Sequence, residues 1–186
     1  MTDAEFLERF VASFEKLDDL FAEGPVPPEL DGGLDDSPWA RQKWRPSAWD
    51  TDPSALEQAY KQLPGRFPPL YEQLVVSYRW LEVELVDIVH LLANPPGDLL
   101  SPLIAAMTGD RLLVDVLFAH GLMPFGRAPG DNYDPVCFDT RRRRADGDCP
   151  IVRVEHEAVL CWGNLGKSSP VAASFRSLVT DVIALS

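Results

Sequence analysis

Histidine and cysteine are scarce in this chain of 186 residues, with three of each. Cys137, Cys149 and Cys161 form no CxxC pair, whereas zinc sites normally use close ligand pairs. Three separated cysteines also make a poor disulfide framework and read as reduced thiols of a cytoplasmic protein. His90, His120 and His156 lie far apart; His156-Glu157 begins like a zincin helix, but Leu160 stands where the second histidine is required. Long apolar runs are missing too. The longest candidate, residues 81–93, is broken by Glu82, Glu84, Asp87 and His90, which excludes a membrane span there. The start, MTDAEFLERF, is acidic and lacks the basic start and apolar core of a signal peptide. The expected location is the cytoplasm.

Positive charge is also in short supply: seventeen basic residues against twenty-nine acidic ones, for a net charge of −12. Residues 1–60 carry fourteen acids and five bases. Such a surface repels nucleic acid and anionic membranes and attracts basic partners, while also serving solubility. The chain is 46% apolar and 25% charged, as soluble globular proteins are, and its length suits one domain with an appended segment.

What is present is a succession of short patterned segments. Thr2 and Glu5 match a capping box, and Phe6, Phe10, Phe14, Leu17 and Phe21 recur at helical spacing, which predicts a helix over 3–22 with a core-facing phenylalanine stripe. Residues 24–52 are rich in proline and glycine, with Trp39, Trp44 and Trp49 at intervals of five, a period of neither helix nor strand. They read as an irregular arm, and three tryptophans hold too much apolar area for a free linker, so the arm is expected to lie on the domain. Asp52-Pro53 predicts a helix start with Leu56, Ala59, Tyr60 and Leu63 on one face, and a further helix is predicted over 68–80. Residues 82–86 alternate as a short strand does. Helices are expected over 101–107 and 109–120, the second burying Leu112, Leu113, Val116 and Leu117 and stopped by Gly121. Residues 123–126, 135–140, 151–156 and 159–162 then read as strands, and Ser169-Pro170 as the cap of a last helix bearing Val171, Phe175, Leu178, Val182 and Ile183. Helices, then strands, then a helix make an α+β domain with an antiparallel-rich central sheet of short strands flanked by helices.

The stretch GLMPFGRAPGDNYDPVCFD, residues 121–139, decides whether to look for chemistry. As a calcium loop it places Tyr133 and Pro135 where oxygen ligands belong. As a phosphate cradle it fails because Gly126 and Gly130 precede strand-like sequence rather than a helix with Lys and Ser or Thr. A strand, a turn and a strand remain. No GxSxG elbow occurs, and Cys137 with His156 is a weak nucleophile pair placed on neighbouring strands. Arg141-Arg142-Arg143-Arg144 is the one basic cluster; it could grip phosphate, but an exposed loop pairing with Asp146, Asp148 or the first helix is the expectation. No metal, organic cofactor or catalytic residue is expected.

The order of segments resembles the SUKH superfamily, the fold of the fungal cell-wall assembly regulator and of many bacterial toxin-immunity proteins. The residues that carry it are Leu63-Pro64 before Pro69-Leu70-Tyr71 and Ser77-Tyr78-Arg79-Trp80, then Gly121-Leu122-Met123-Pro124-Phe125-Gly126. Asp131 with Val136-Cys137-Phe138-Asp139, the strand at Ile151-Val152 and Val171-Ala172-Ala173-Ser174-Phe175 complete it over residues 56–185. Arg79-Trp80 departs from the family's asparagine-glycine turn, and the first 55 residues have no counterpart in a minimal member. The division implied is an arm over 1–55 and a SUKH-like domain over 56–186. The resemblance implies a non-enzymatic protein-binding module, most concretely an immunity protein that neutralises a basic toxin. A scaffold or regulator of the same fold, or a small-molecule binder or enzyme using the cleft at 126–139, are the alternatives. Asp131, Tyr133 and Asp134 are the expected binding rim, joined by Asp35, Asp36, Trp39 and Trp44 of the acidic arm.

Overall fold

The computed structural model describes residues 1–16, 20–22, 24–52, 54–130 and 132–186. Helix α1, Asp3–Phe14, opens with the expected capping box: the Glu5 backbone N–H donates to Thr2 Oγ1 at 3.3 Å and the Thr2 N–H to Glu5 Oε2 at 2.7 Å. Phe6, Leu7, Phe10, Val11 and Phe14 are buried, so the phenylalanine stripe is core as far as Phe14, whereas Phe21 lies beyond the helix and is half-buried. The helix stops at Phe14 rather than running to residue 22. Leu20 and Ala22 are instead bonded to a strand, the Leu20 carbonyl accepting from Trp44 at 2.9 Å and the Ala22 N–H donating to Gln42 at 3.1 Å. Leu17 lies outside the described residues.

The arm is more regular than its composition suggests. Strands β1, Asp31–Leu34, and β2, Gln42–Trp44, pair antiparallel, and β3, Ser47–Ala48, pairs with β4, Tyr78–Arg79. All four residues of β1 are exposed, so no alternation of burial marked it beforehand. Trp44 is buried and Trp49 half-buried beneath the Arg79 guanidinium, 5.3 Å from its ring. Trp39 stands 87% exposed.

Helix α2, Ser54–Tyr60, buries Ala55 and Ala59. Helix α3, Pro69–Ser77, ends three residues short of the expected Trp80 because Tyr78 turns extended to join β4. The end of α3 is closed from inside: Asn94 Nδ2 and the buried Arg79 guanidinium both donate to the carbonyls of Val75 and Tyr78. Burial pushes the Arg79 pKa down to about 10, leaving it charged at neutral pH. A cation among the last helical carbonyls is favourable there.

The main sheet is six-stranded, antiparallel, and runs in chain order from β5 to β10. Its strands are β5, Val83–Leu85; β6, Val89–Leu91; β7, Leu122–Arg127; β8, Pro135–Asp139; β9, Ile151–Val154; and β10, Ser168–Ala172. Helices α4, Ser101–Thr108, and α5, Arg111–Ala119, connect β6 to β7, with Asp110 capping α5 and Gly121 left-handed after it, at φ 64°. Leu112 is 74% exposed, against expectation; Leu117 is buried and Leu113 and Val116 partly buried as expected, and Val114 takes the remaining inward place. The hairpin of β7 and β8 answers the question raised by residues 121–139: they form a strand, a turn and a strand.

Two further segments differ from the reading of the sequence. Residues 159–162 belong to helix α6, His156–Trp162, which buries only Val159 and ends at left-handed Gly163. Ser169 and Pro170 lie in β10, and the last helix, α7, Phe175–Leu185, is capped by Ser174, so Val171 is a strand residue. Both faces of the central strands β7, β8 and β9 are covered. Phe125, Val136, Phe138 and Ile151 face the large core with α1, α3 and α7, where Tyr71 lies among the rings of Phe67, Phe125, Phe138 and Phe175. Leu122, Cys137, Val152 and Val154 belong to a second cluster with α5 and α6. The alternation along these three strands is what lets one sheet serve two cores.

Candidate functional site

The connector from Ala128 to Asp134 leaves the sheet where β7 ends and returns where β8 begins, and it is held at several points. The Ala128 N–H donates to the Asp134 carbonyl at 2.8 Å, and Asn132 Oδ1 accepts from the Asp134 N–H at 2.9 Å. Gly130, left-handed at φ 66°, donates its N–H to Glu84 Oε2 on β5 at 2.9 Å. A glycine suits that conformation without a steric cost. Asp131 falls outside the described residues.

Asp134 is the electrostatic centre of the returning end. Its Oδ1 accepts from the His156 backbone N–H at 2.9 Å and from His156 Nδ1 at 2.8 Å, and Arg153 Nε lies 3.8 Å from Oδ2. Burial alone would raise its pKa, but the His156 backbone and ring bonds, with Asn132, hold the carboxyl below its ordinary value. Tyr133, next door, is 66% exposed; its ring meets that of His156 edge-on at 6.3 Å and the Arg127 guanidinium at 5.9 Å.

Arg127, the last residue of β7, joins this connector to the sheet edge. Its guanidinium lies 3.3 Å from His90 Nε2 and 3.7 Å from Glu82 Oε2, while His90 Nε2 and Glu82 Oε2 are 3.0 Å apart. The hydrogen bond from His90, reinforced by the charge of Arg127, holds the Glu82 carboxyl low. Three depressions lie around Arg127 and the connector, two of them lined by connector residues. One of about 350 Å³ is lined by Arg127, His90, Glu82 and Trp44. A second, about 410 Å³, lies between Asp134, Arg153 and Lys167, and a third, about 120 Å³, between Tyr133, Arg127, Met107 and Leu113.

The acidic arm meets this site at the depression beside Arg127, where Phe21, Ala22, Gly24, Pro25 and Trp44 share its lining. Trp44 is buried and thus serves the core rather than an open anchor surface. Trp39 and Asp36 are exposed on the segment that links β1 to β2. Asp35 is committed to that turn: its Oδ1 accepts from Ser37 Oγ at 2.7 Å, the Arg41 N–H at 2.8 Å and the Ser37 N–H at 3.3 Å. The Ser37 hydroxyl bond is the main cause of its lowered pKa.

His156 does not meet Cys137 as a strand neighbour would. It opens α6 and binds Asp134, while the Cys137 thiol is buried in the second cluster, where desolvation and then the charge of Asp139 push its pKa up. Among the described residues no hydroxyl or thiol hydrogen-bonds the His156 ring, and no three His, Cys, Asp or Glu side chains converge on a metal position. No described helix is long and apolar enough to cross a membrane. The arginine cluster is largely tied down: Arg144 pairs with Asp146 at 2.7 Å, Arg141 with Asp139 at 3.3 Å, and Arg143 donates to the carbonyls of Arg66, Phe67 and Gly147.

The residues missed from sequence are Glu82, His90 and Arg127. The acid–aliphatic alternation marked Glu82 and Glu84 as the outward side of a strand, but nothing local linked them to Arg127 more than forty positions on. In comparisons with protein-family models, curated proteins and solved structures, nothing matches this chain.

Proposed function

We propose that this chain is a non-enzymatic protein-binding module of the immunity type, neutralising a basic toxin by direct contact. The observation that carries the reading is Tyr133: an aromatic side chain 66% exposed yet framed by Arg127 and His156 on a connector closed by its own backbone bonds. Holding a tyrosine in place before docking lowers the entropic cost of using it, and tyrosines are frequent anchors of interfaces. The net charge of −12 favours a basic partner over nucleic acid. The SUKH-like order of segments over 56–185 supports the same reading.

The test is co-expression with the product of the neighbouring gene, followed by binding measurements on the purified pair. Protection of the cells is expected, with Tyr133→Ala weakening binding by about 2 kcal/mol or more, roughly thirtyfold, at an unchanged unfolding midpoint. A neighbouring product that is harmless and does not bind would overturn the immunity role. Unchanged affinity in Tyr133→Ala would overturn the anchor.

A further inference from the structure

Directly opposed residues of paired strands point to the same face, and the register sets Glu84 of β5 opposite His90 of β6, and His90 opposite Arg127 of β7. The three form one row across the sheet. Their neighbours Val83, Leu85, Val89 and Leu91 point the other way, into the large core. We propose that this row is the seat of the connector and that Glu84 is the positioning residue for Tyr133. The inference rests on the protein-binding reading for what the seat serves, and adds a residue outside the anchor on which the anchor depends.

Gly130 is held from the two ends of the row. Its N–H donates to Glu84 Oε2 at 2.9 Å, and its carbonyl accepts from Arg127 Nη1 at 3.4 Å. His90 fills the space between those ends, with Nδ1 3.9 Å from Glu84 Oε2 and Nε2 3.3 Å from Arg127 Nη2. Further along, Asp134 is fixed to His156 of α6. Tyr133 thus stands between a tie to the sheet and a tie to the helix. The bond between Ala128 and Asp134 closes only the base of the connector. Gly130 is exposed, and a Cβ there would meet nothing within 4 Å, so it is hydrogen bonds that hold it. A carboxylate acceptor makes the bond to Glu84 stronger than a neutral one. Without it the connector would regain freedom, and docking of Tyr133 would carry the cost of ordering it.

The experiment is NMR of the intact protein alone, following the Gly130 amide and Tyr133. In the unmodified chain the Gly130 amide should exchange with solvent about tenfold more slowly than an unbonded turn amide, and its shift should follow the ionisation of a carboxylate in an acid titration. Glu84→Ala should raise that exchange rate about tenfold, with the amides of Phe125 and Phe138 exchanging as before. It should also lower the Tyr133 backbone order parameter and weaken the ring contact between Tyr133 and His156. Glu84→Gln keeps an oxygen acceptor and should restore the protection of Gly130 without the titration. An unprotected Gly130 amide in the unmodified chain, a titration that survives Glu84→Gln, or an equally ordered Tyr133 in Glu84→Ala would overturn the assignment. So would equal acceleration at Phe125 and Phe138, the mark of a general loss of stability. If Glu84→Ala does not fold, the Gly130 amide in the unmodified chain and in Glu84→Gln decides. These measurements need no partner, whereas Tyr133→Ala is read by binding, so failure of the seat and failure of the protein-binding reading are told apart.

Discussion

Tyr71 occupies the middle of the large core with its hydroxyl fully buried, and that hydroxyl finds no hydrogen-bond partner among the described residues. Burial also drives its ionisation far above the ordinary tyrosine range, so it stays neutral. A buried polar group without a partner costs about 1–3 kcal/mol, and its removal recovers part of that. Tyr71→Phe is therefore expected to raise the urea unfolding free energy by about 1 kcal/mol. A loss of similar size would show that the hydroxyl is satisfied after all. Asp134 makes a different demand. Its folded pKa lies below the ordinary 3.8, so near that pH the native state binds fewer protons than the unfolded chain, and stability rises with pH. The contribution is complete above about pH 5 and is lost as the pH falls through the folded pKa. Asp134→Asn should flatten the acid limb of a plot of unfolding midpoint against pH; parallel limbs in the two proteins would refute the linkage. Glu82, lowered chiefly by His90, adds a contribution of the same sign.

Among elements, the contact between β6 and β7 is the most exacting. A Cβ on Gly126 would come within 2.6 Å of Val89 Cγ2 and 2.8 Å of the His90 carbonyl oxygen. That close approach is what places His90 beside Arg127. Gly126→Ala should cost about 1–3 kcal/mol, as overpacking does, whereas Gly24→Ala meets nothing within 4 Å and should be neutral. Chemical denaturation of the two variants checks both, and a neutral Gly126→Ala would mean that the strands can separate freely. The element boundaries show how far local pattern reaches. The capping box of α1 and the Gly121 stop of α5 were legible because each is encoded within a few residues; the Asp110 cap of α5 was there to be read as well and was missed. Helix α6 and strand β10 were misread because segments of seven and five residues hold too little periodicity to outweigh their surroundings. Gly163 and Ser174 were the unused signals: a left-handed stop behind α6 and a serine cap before α7.

For the whole molecule the governing quantity is charge. With fourteen acids in its first sixty residues, the chain should draw a basic partner in from a distance, while exposed charges add little to the docked complex. Asp35 is unsuitable for testing this because its carboxylate closes a turn. The exposed Glu29, Asp36 and Asp50 serve instead. Neutralising all three as Gln or Asn should slow association several-fold at low salt and much less near physiological ionic strength, where screening acts within about 8 Å. Dissociation should hardly change, since it depends on buried anchors. Stopped-flow association across a salt series measures this, and a rate that ignores salt would end the steering idea.

The α+β class, the phenylalanine face of α1 and the hairpin of β7 and β8 were determined by the sequence itself, because each is encoded in residues close along the chain. Turn residues between two apolar runs, or apolar residues three and four apart, act before any distant partner arrives. Tertiary structure alone decided the pairing of β1 with β2, the end of α1 at Phe14, and the meeting of Glu82, His90 and Arg127. The described backbone of Leu20–Ala22 gives its hydrogen bonds to β2, and the site exists because β5, β6 and β7 lie side by side across an insertion of two helices. Such contacts depend on which strands become neighbours, and a strand's own residues specify its faces but not the strand beside it.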